Sequence, residues 1–134
     1  MITLSKAKKA LEAAEAKANE LGIAISTVIV DGNGYIIASS RMDNALPVSP
    51  RFAFTKAYTA AVLRMPTQGL AEYATAGKPY YGVTAIWSGE FTTIPGGLPV
   101  NDNNGVIGGV GVGGGEPPQD EKCSKAALAI LVSA

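Results

Sequence analysis

Apolar residues recur every three or four positions over Leu4, Ala7, Leu11, Ala14, Ala18 and Leu21. This spacing predicts an opening helix that buries one alanine-rich face. Thr3 is placed to cap it and Gly22 to stop it. IAISTVIV, residues 23 to 30, is apolar on both faces, as a central strand covered from both sides must be. Asp31-Gly32-Asn33-Gly34 supplies a hairpin turn, with Asp31 set to make an Asx-type bond, and YIIASSRM returns as residues 35 to 42. Ser49-Pro50 then reads as a cap with proline at the first helical position, opening a helix that runs to Pro66. Thr67 caps a shorter helix, QGLAEYATA, closed by Gly77. YYGVTAIW, residues 80 to 87, reads as a strand with a bend at Ser88-Gly89-Glu90.

After FTTIPGGLPV and a turn at Asn101 to Gly105, the pattern changes again. Seven of the eleven residues from Gly105 to Gly115 are glycine, interleaved with Val106, Ile107, Val110 and Val112. Such a strand invites close approach by another backbone, a helix or a ligand, so it could serve a tight subunit contact or a pocket floor. Pro117-Pro118 breaks it and launches a final helix, residues 122 to 133, with Ala126, Ala127, Ile130 and Leu131 turned inward. The order αββααβββα, linked by hairpins, predicts one α+β domain over residues 1–134. Its mainly antiparallel sheet of about five strands would be flanked by helices.

Composition narrows the chemistry. Eleven basic and eleven acidic residues cancel, which gives no electrostatic case for nucleic acid or an anionic membrane. No uncharged apolar run approaches the roughly 20 residues of a membrane span. The charged N-terminal stretch lacks the apolar middle of a signal peptide, and a lone Cys123 fits a reducing compartment, so a cytoplasmic protein is expected. Histidine is absent, which removes serine–histidine and cysteine–histidine couples and any imidazole metal ligand. No metal site is expected, and acid–base work falls to carboxylates, lysine or tyrosine.

Five motifs stand in register: VIVDGNG from the end of the first strand into its turn, RMD, TKAYTA on a helix, PGGLPV, and GVIGGVGVGGGEPPQDE. Together they resemble the GlcG/HbpS-like family, which includes the C-terminal domain of PduO-type corrinoid adenosyltransferases, across residues 5 to 132. The resemblance implies a profilin-like or PAS-like domain, assembly into homo-oligomers, and haem as a candidate cofactor. In haem-binding PduO-type domains the axial ligand is a histidine. Here, without histidine, candidate iron ligands are Met42, Cys123, Tyr58, Tyr80 and Tyr81.

Arg41 and Asp43 point to one face at the end of the second strand. They form either a receptor for a carboxylate or a structural ion pair. Lys56 sits mid-helix, one turn from Phe52 and Thr59, and reads as a catalytic base or imine former, an anion clamp, or a snorkelling lysine. Gly96 and Gly97 offer bare amides for an anion nest or simply make a sharp turn, with Thr93 nearby to add a hydroxyl. Gly109 to Gly114 matches the letters of a dinucleotide loop but lacks the βαβ context. Asp120 in the first turn of the last helix complements the helix dipole.

These residues frame a small-ligand domain whose pocket draws on Arg41, Asp43, Lys56, Thr93, Gly96 and Gly97. Its partner would be a small anionic molecule such as haem or a related tetrapyrrole. One alternative is a non-haem enzyme or accessory protein for small carbonyl or hydroxy acids, as in glycolate or diol metabolism. Another is a non-catalytic assembly factor that packs against copies of itself.

Overall fold

The structure, a computed structural model, describes residues 1–133. Its elements are α1 (Leu4–Leu21), β1 (Ser26–Asp31), β2 (Ile36–Arg41), α2 (Ser49–Leu63), α3 (Thr67–Ala74), β3 (Gly97–Asp102), β4 (Gly105–Gly113) and α4 (Pro117–Leu131). The four strands form one antiparallel sheet in the order β2-β1-β4-β3. Helices α1 and α4 pack together on one face, over Ile25, Ile29, Val110 and Val112. Helix α2 covers the other face, where Val28 and Val30 meet Ala53, Ala57 and Ala61. The expected α+β architecture is present, with four strands in place of about five.

Local signals set most of these boundaries. The Thr3 hydroxyl accepts from the Lys6 amide, and Gly22 ends α1 in the left-handed region at φ 72°. Ala7, Ala10, Ala14 and Ala18 are fully buried, while Leu4 is left exposed at the helix start. Asp31 accepts from the amides of Asn33 and Tyr35, which fixes the hairpin. Helix α4 begins at Pro117, five residues before the expected start at 122. Both prolines fit its first turn, and Glu116 and Gln119 close a capping box. Ser49 is not a cap: it is buried, and its hydroxyl pairs with that of Ser26 at 2.8 Å, so the helix meets β1 through a hydroxyl contact.

The glycine strand is explained by α2. A Cβ on Gly109 would lie 2.5 Å from the Ala57 carbonyl oxygen, and one on Gly111 would collide with the carbonyl oxygen of Ala53. Bare backbone on β4 lets the alanine face of α2 rest directly on the sheet. Of the approaches that the sequence leaves open, the structure shows a helix of the same chain.

The expected strand over residues 80 to 87 is absent. Tyr80 to Glu90 instead runs as turns and two short 3₁₀ segments, Val83–Ala85 and Trp87–Gly89. Gly82 turns the chain at φ 94°, and Trp87 and Ser88 are both left-handed, at φ 55° and 57°. Aromatic and β-branched residues gave this stretch the composition of a strand, but its backbone is folded back on itself. Its side chains are consequently free to line surface clefts.

Candidate functional site

Lys56 crosses from α2 to the N-terminal end of α4. Its ammonium donates to the Val112 carbonyl at 2.8 Å and to Asp120 Oδ2 at 3.0 Å. Both side chains are almost wholly buried, at 2% and 3% exposure. Asp120 Oδ1 accepts the Gly115 amide at 2.8 Å. Burial lifts the Asp120 carboxyl above its ordinary value, outweighing the opposing pull of the Lys56 charge and of hydrogen bonds from Lys56 and Gly115. The pair ties α2, β4 and α4 together. Chemistry at Nζ would require it to open.

Gly96 and Gly97 lie beside this pair. The Gly96 carbonyl accepts from Ser124 Oγ at 2.5 Å and from the Val112 amide at 3.1 Å. The Gly97 amide donates to Thr67 Oγ1, which in turn donates to the Ile94 carbonyl. A Cβ on Gly96 would lie 2.9 Å from Lys56 Nζ, so the two glycines exist to let the chain pass the lysine. Three of the expected site residues therefore meet in a sealed polar network. Thr93 is half-buried just upstream.

Arg41 and Asp43 lie elsewhere. Both are exposed and line a shallow hollow with Glu15, Asn19 and Met42, on the α1 side of the molecule. No ion pair joins them among the described residues. Two carboxylates face one guanidinium there, a balance that disfavours an anionic guest.

The groups able to ligate iron are also placed. Cys123 is fully buried, and burial drives its thiol up to about 11. Met42 sulfur accepts from the Ile25 amide at 3.4 Å. Tyr81 is exposed, and Tyr80 lines a cleft of about 280 Å³ with Leu63, Met65, Leu70, Tyr73 and Val83. Tyr58 lines a different and larger depression.

That depression runs along the outer face of α2. One hollow, of about 390 Å³, is walled by Tyr35, Ile36, Phe54, Tyr58, Trp87 and Glu90. Its neighbour, of about 590 Å³, is walled by Arg51, Phe54, Thr55, Ser88 and Glu90. The two lie side by side, with Phe54 and Glu90 in both walls, and are together termed the groove. Tyr58 is fixed at its base between Phe54 and Phe91, with ring centroids 5.7 and 5.9 Å away. Gly34 makes room for it, since a Cβ there would lie 2.6 Å from the tyrosine ring.

The rim opposite α2 is held by a buried hydroxyl. Thr59 Oγ1 accepts the Thr92 amide at 3.0 Å and donates to the Glu90 carbonyl at 3.3 Å. This anchor presents Trp87, 66% exposed on a left-handed backbone, over the groove. A bulky residue at positive φ is a strained arrangement of the kind that collects at ligand sites. The sequence offered a signal for this groove in the aromatic spacing of Phe54, Tyr58, Trp87 and Phe91. The presumed strand concealed it.

Among the described residues, no cluster of three metal-binding side chains occurs, and no helix is long and apolar enough to cross a membrane. The family model described as haem degrading protein HbpS-like matches residues 2–129. An uncharacterised 15.0 kDa protein from the dhaT–dhaS intergenic region of Citrobacter freundii is 39% identical over 95% of this chain and 89% of its own length. The crystal structure of Klebsiella pneumoniae protein ORFY superposes with a TM-score of 0.95 at 33% identity, covering 99% of this chain and 92% of that one. The PduOC:heme complex superposes at 0.94 with 28% identity, covering 100% and 97%.

Proposed function

We infer, from the premise that this chain belongs to the HbpS-like family of haem-degrading proteins, that it binds haem or a related tetrapyrrole in the groove along α2. The observation that carries this reading is the wall of Tyr35, Phe54, Tyr58 and Trp87, closed at one end by Arg51. A flat conjugated macrocycle stacks on aromatic faces, and a guanidinium pairs with its carboxylates through a bidentate fork. The hollows fall within the range of ordinary ligand pockets.

The aromatic wall suits the ring of such a guest, and Arg51 suits its carboxylates. For an iron centre, Tyr35 and Tyr58 are the ligand-capable side chains in the groove wall, as a phenol can serve haem iron. Bound haem would supply a redox-active iron. The protein's part is to stack the ring, hold a carboxylate and shield one face from water. Lys56 keeps the frame rather than touching the guest, because its charge is spent on Asp120.

Hemin titration followed in the Soret band tests this. A saturable spectrum weakened about tenfold by Arg51→Ala, and unaffected by Arg41→Ala, is expected if one charged contact is lost. Weakening by Arg41→Ala alone would move the site to the Arg41 hollow.

A second observation favours self-association. Between residues 80 and 94 the chain leaves Tyr80, Tyr81, Ile86, Trp87 and Ile94 exposed. Such a surface is normally covered by a ligand or another protein. Light scattering should find a discrete homo-oligomer; a strict monomer would remove this reading.

A further inference from the structure

The groove holds one cation and one anion that do not pair. Arg51 lines its outer hollow, and Glu90 lines both hollows from the rim. Neither belongs to an ion pair among the described residues. Glu90 is half-buried, and the hydrogen bond that fixes it uses its backbone carbonyl, so its carboxylate is available to a guest.

Haem satisfies only half of this arrangement. Its carboxylates suit Arg51, but its four pyrrole nitrogens are all committed to iron, and it carries no N–H donor. Laying a haem face over Glu90 would strip water from a carboxylate and return no hydrogen bond, which is unfavourable. An open-chain tetrapyrrole keeps the carboxylates and the conjugated body, and its pyrrole and lactam N–H groups are free to donate. It also asks for no iron ligand, so the groove phenols Tyr35 and Tyr58 need only pack against it.

We propose that the groove selects open-chain tetrapyrroles over haem, with Glu90 accepting from their N–H groups and Arg51 pairing with a carboxylate. This rests on the reading of the groove as a tetrapyrrole site. The pairing of each end with a different group makes Glu90 the specificity-determining residue.

The test is a pair of absorbance titrations, with biliverdin and with hemin, on the wild type, Glu90→Leu and Glu90→Gln. Thermal denaturation checks that each variant folds. Biliverdin should bind the wild type about tenfold more tightly than hemin, the scale of one hydrogen bond to a charged group. Glu90→Leu should cost biliverdin about tenfold and leave hemin unchanged or tighter, with Glu90→Gln between. Equal affinity for both ligands, or an equal change in both on substitution, would overturn the selectivity and leave the groove reading standing. Binding of neither ligand to the wild type would overturn both.

Discussion

Lys56 and Asp120, 64 residues apart in sequence, meet at 3.0 Å in the interior and join α2 to the first turn of α4. Removing one member of such a pair leaves an uncompensated buried charge. Lys56→Met should therefore lose about 3–5 kcal/mol of stability near neutral pH, measured by urea unfolding. If the loss is below about 1 kcal/mol, the pair is not the staple described.

The same pair sets a pH dependence. The unfolded chain ionises Asp120 at its ordinary value, and the folded chain only at a higher one. Between those values the unfolded state holds fewer protons, so stability falls as pH rises through the folded value. Lys56→Met removes the attraction that restrains this shift, so its loss should be steeper, reach higher pH, and be partly recovered in mild acid. Lys56→Met with Asp120→Asn should lack that dependence. Greater stability of the single variant at neutral than at mildly acidic pH would contradict the assignment.

Glycines separate into two classes. Gly111→Ala drives a methyl into the Ala53 carbonyl and should destabilise by at least about 2 kcal/mol. Gly69→Ala, on α3 with nothing nearer than the Met65 sulfur at 3.9 Å, should stabilise by about 0.5–1 kcal/mol. Chemical denaturation of the two variants checks both signs.

Cys123 should resist alkylation in the folded protein at mildly alkaline pH, because its thiol is buried and driven up to about 11. Labelling should appear only at the denaturant concentration where the fold is lost. Rapid labelling of the native protein would place Cys123 elsewhere.

Much of the fold was legible because its signals are local. Thr3 and Gly22 bracket α1, Asp31 closes its hairpin through its own neighbours, and the glycines of β4 announce a close approach without saying by what. The rest depends on distant partners. Lys56 was recognisable as partly desolvated by Phe52 and Thr59, but nothing near it in sequence reveals Asp120. Asp120 itself reads as an ordinary helix-start acid. The groove was hidden for another reason: residues 80 to 87 have strand composition, whereas the backbone turns left-handed at Gly82, Trp87 and Ser88 and is tied to α2 just downstream, where Thr59 holds Glu90 and Thr92.

That anchor carries its own expectation. Thr59→Val keeps the shape and removes the hydroxyl, leaving the Thr92 amide without its partner. About 1–3 kcal/mol should be lost, with weaker tetrapyrrole binding, and Thr59→Ser should restore both. Unchanged binding in a folded Thr59→Val protein would separate the rim from the site.

The location of the guest is settled most directly by amide NMR during titration with gallium(III) protoporphyrin, a diamagnetic stand-in for haem. Shifts should concentrate at Gly34, Tyr35, Thr55, the Trp87 indole and Glu90, leaving Glu15, Asn19 and Asp43 unmoved. Perturbation of the latter three with a silent Trp87 would contradict the account.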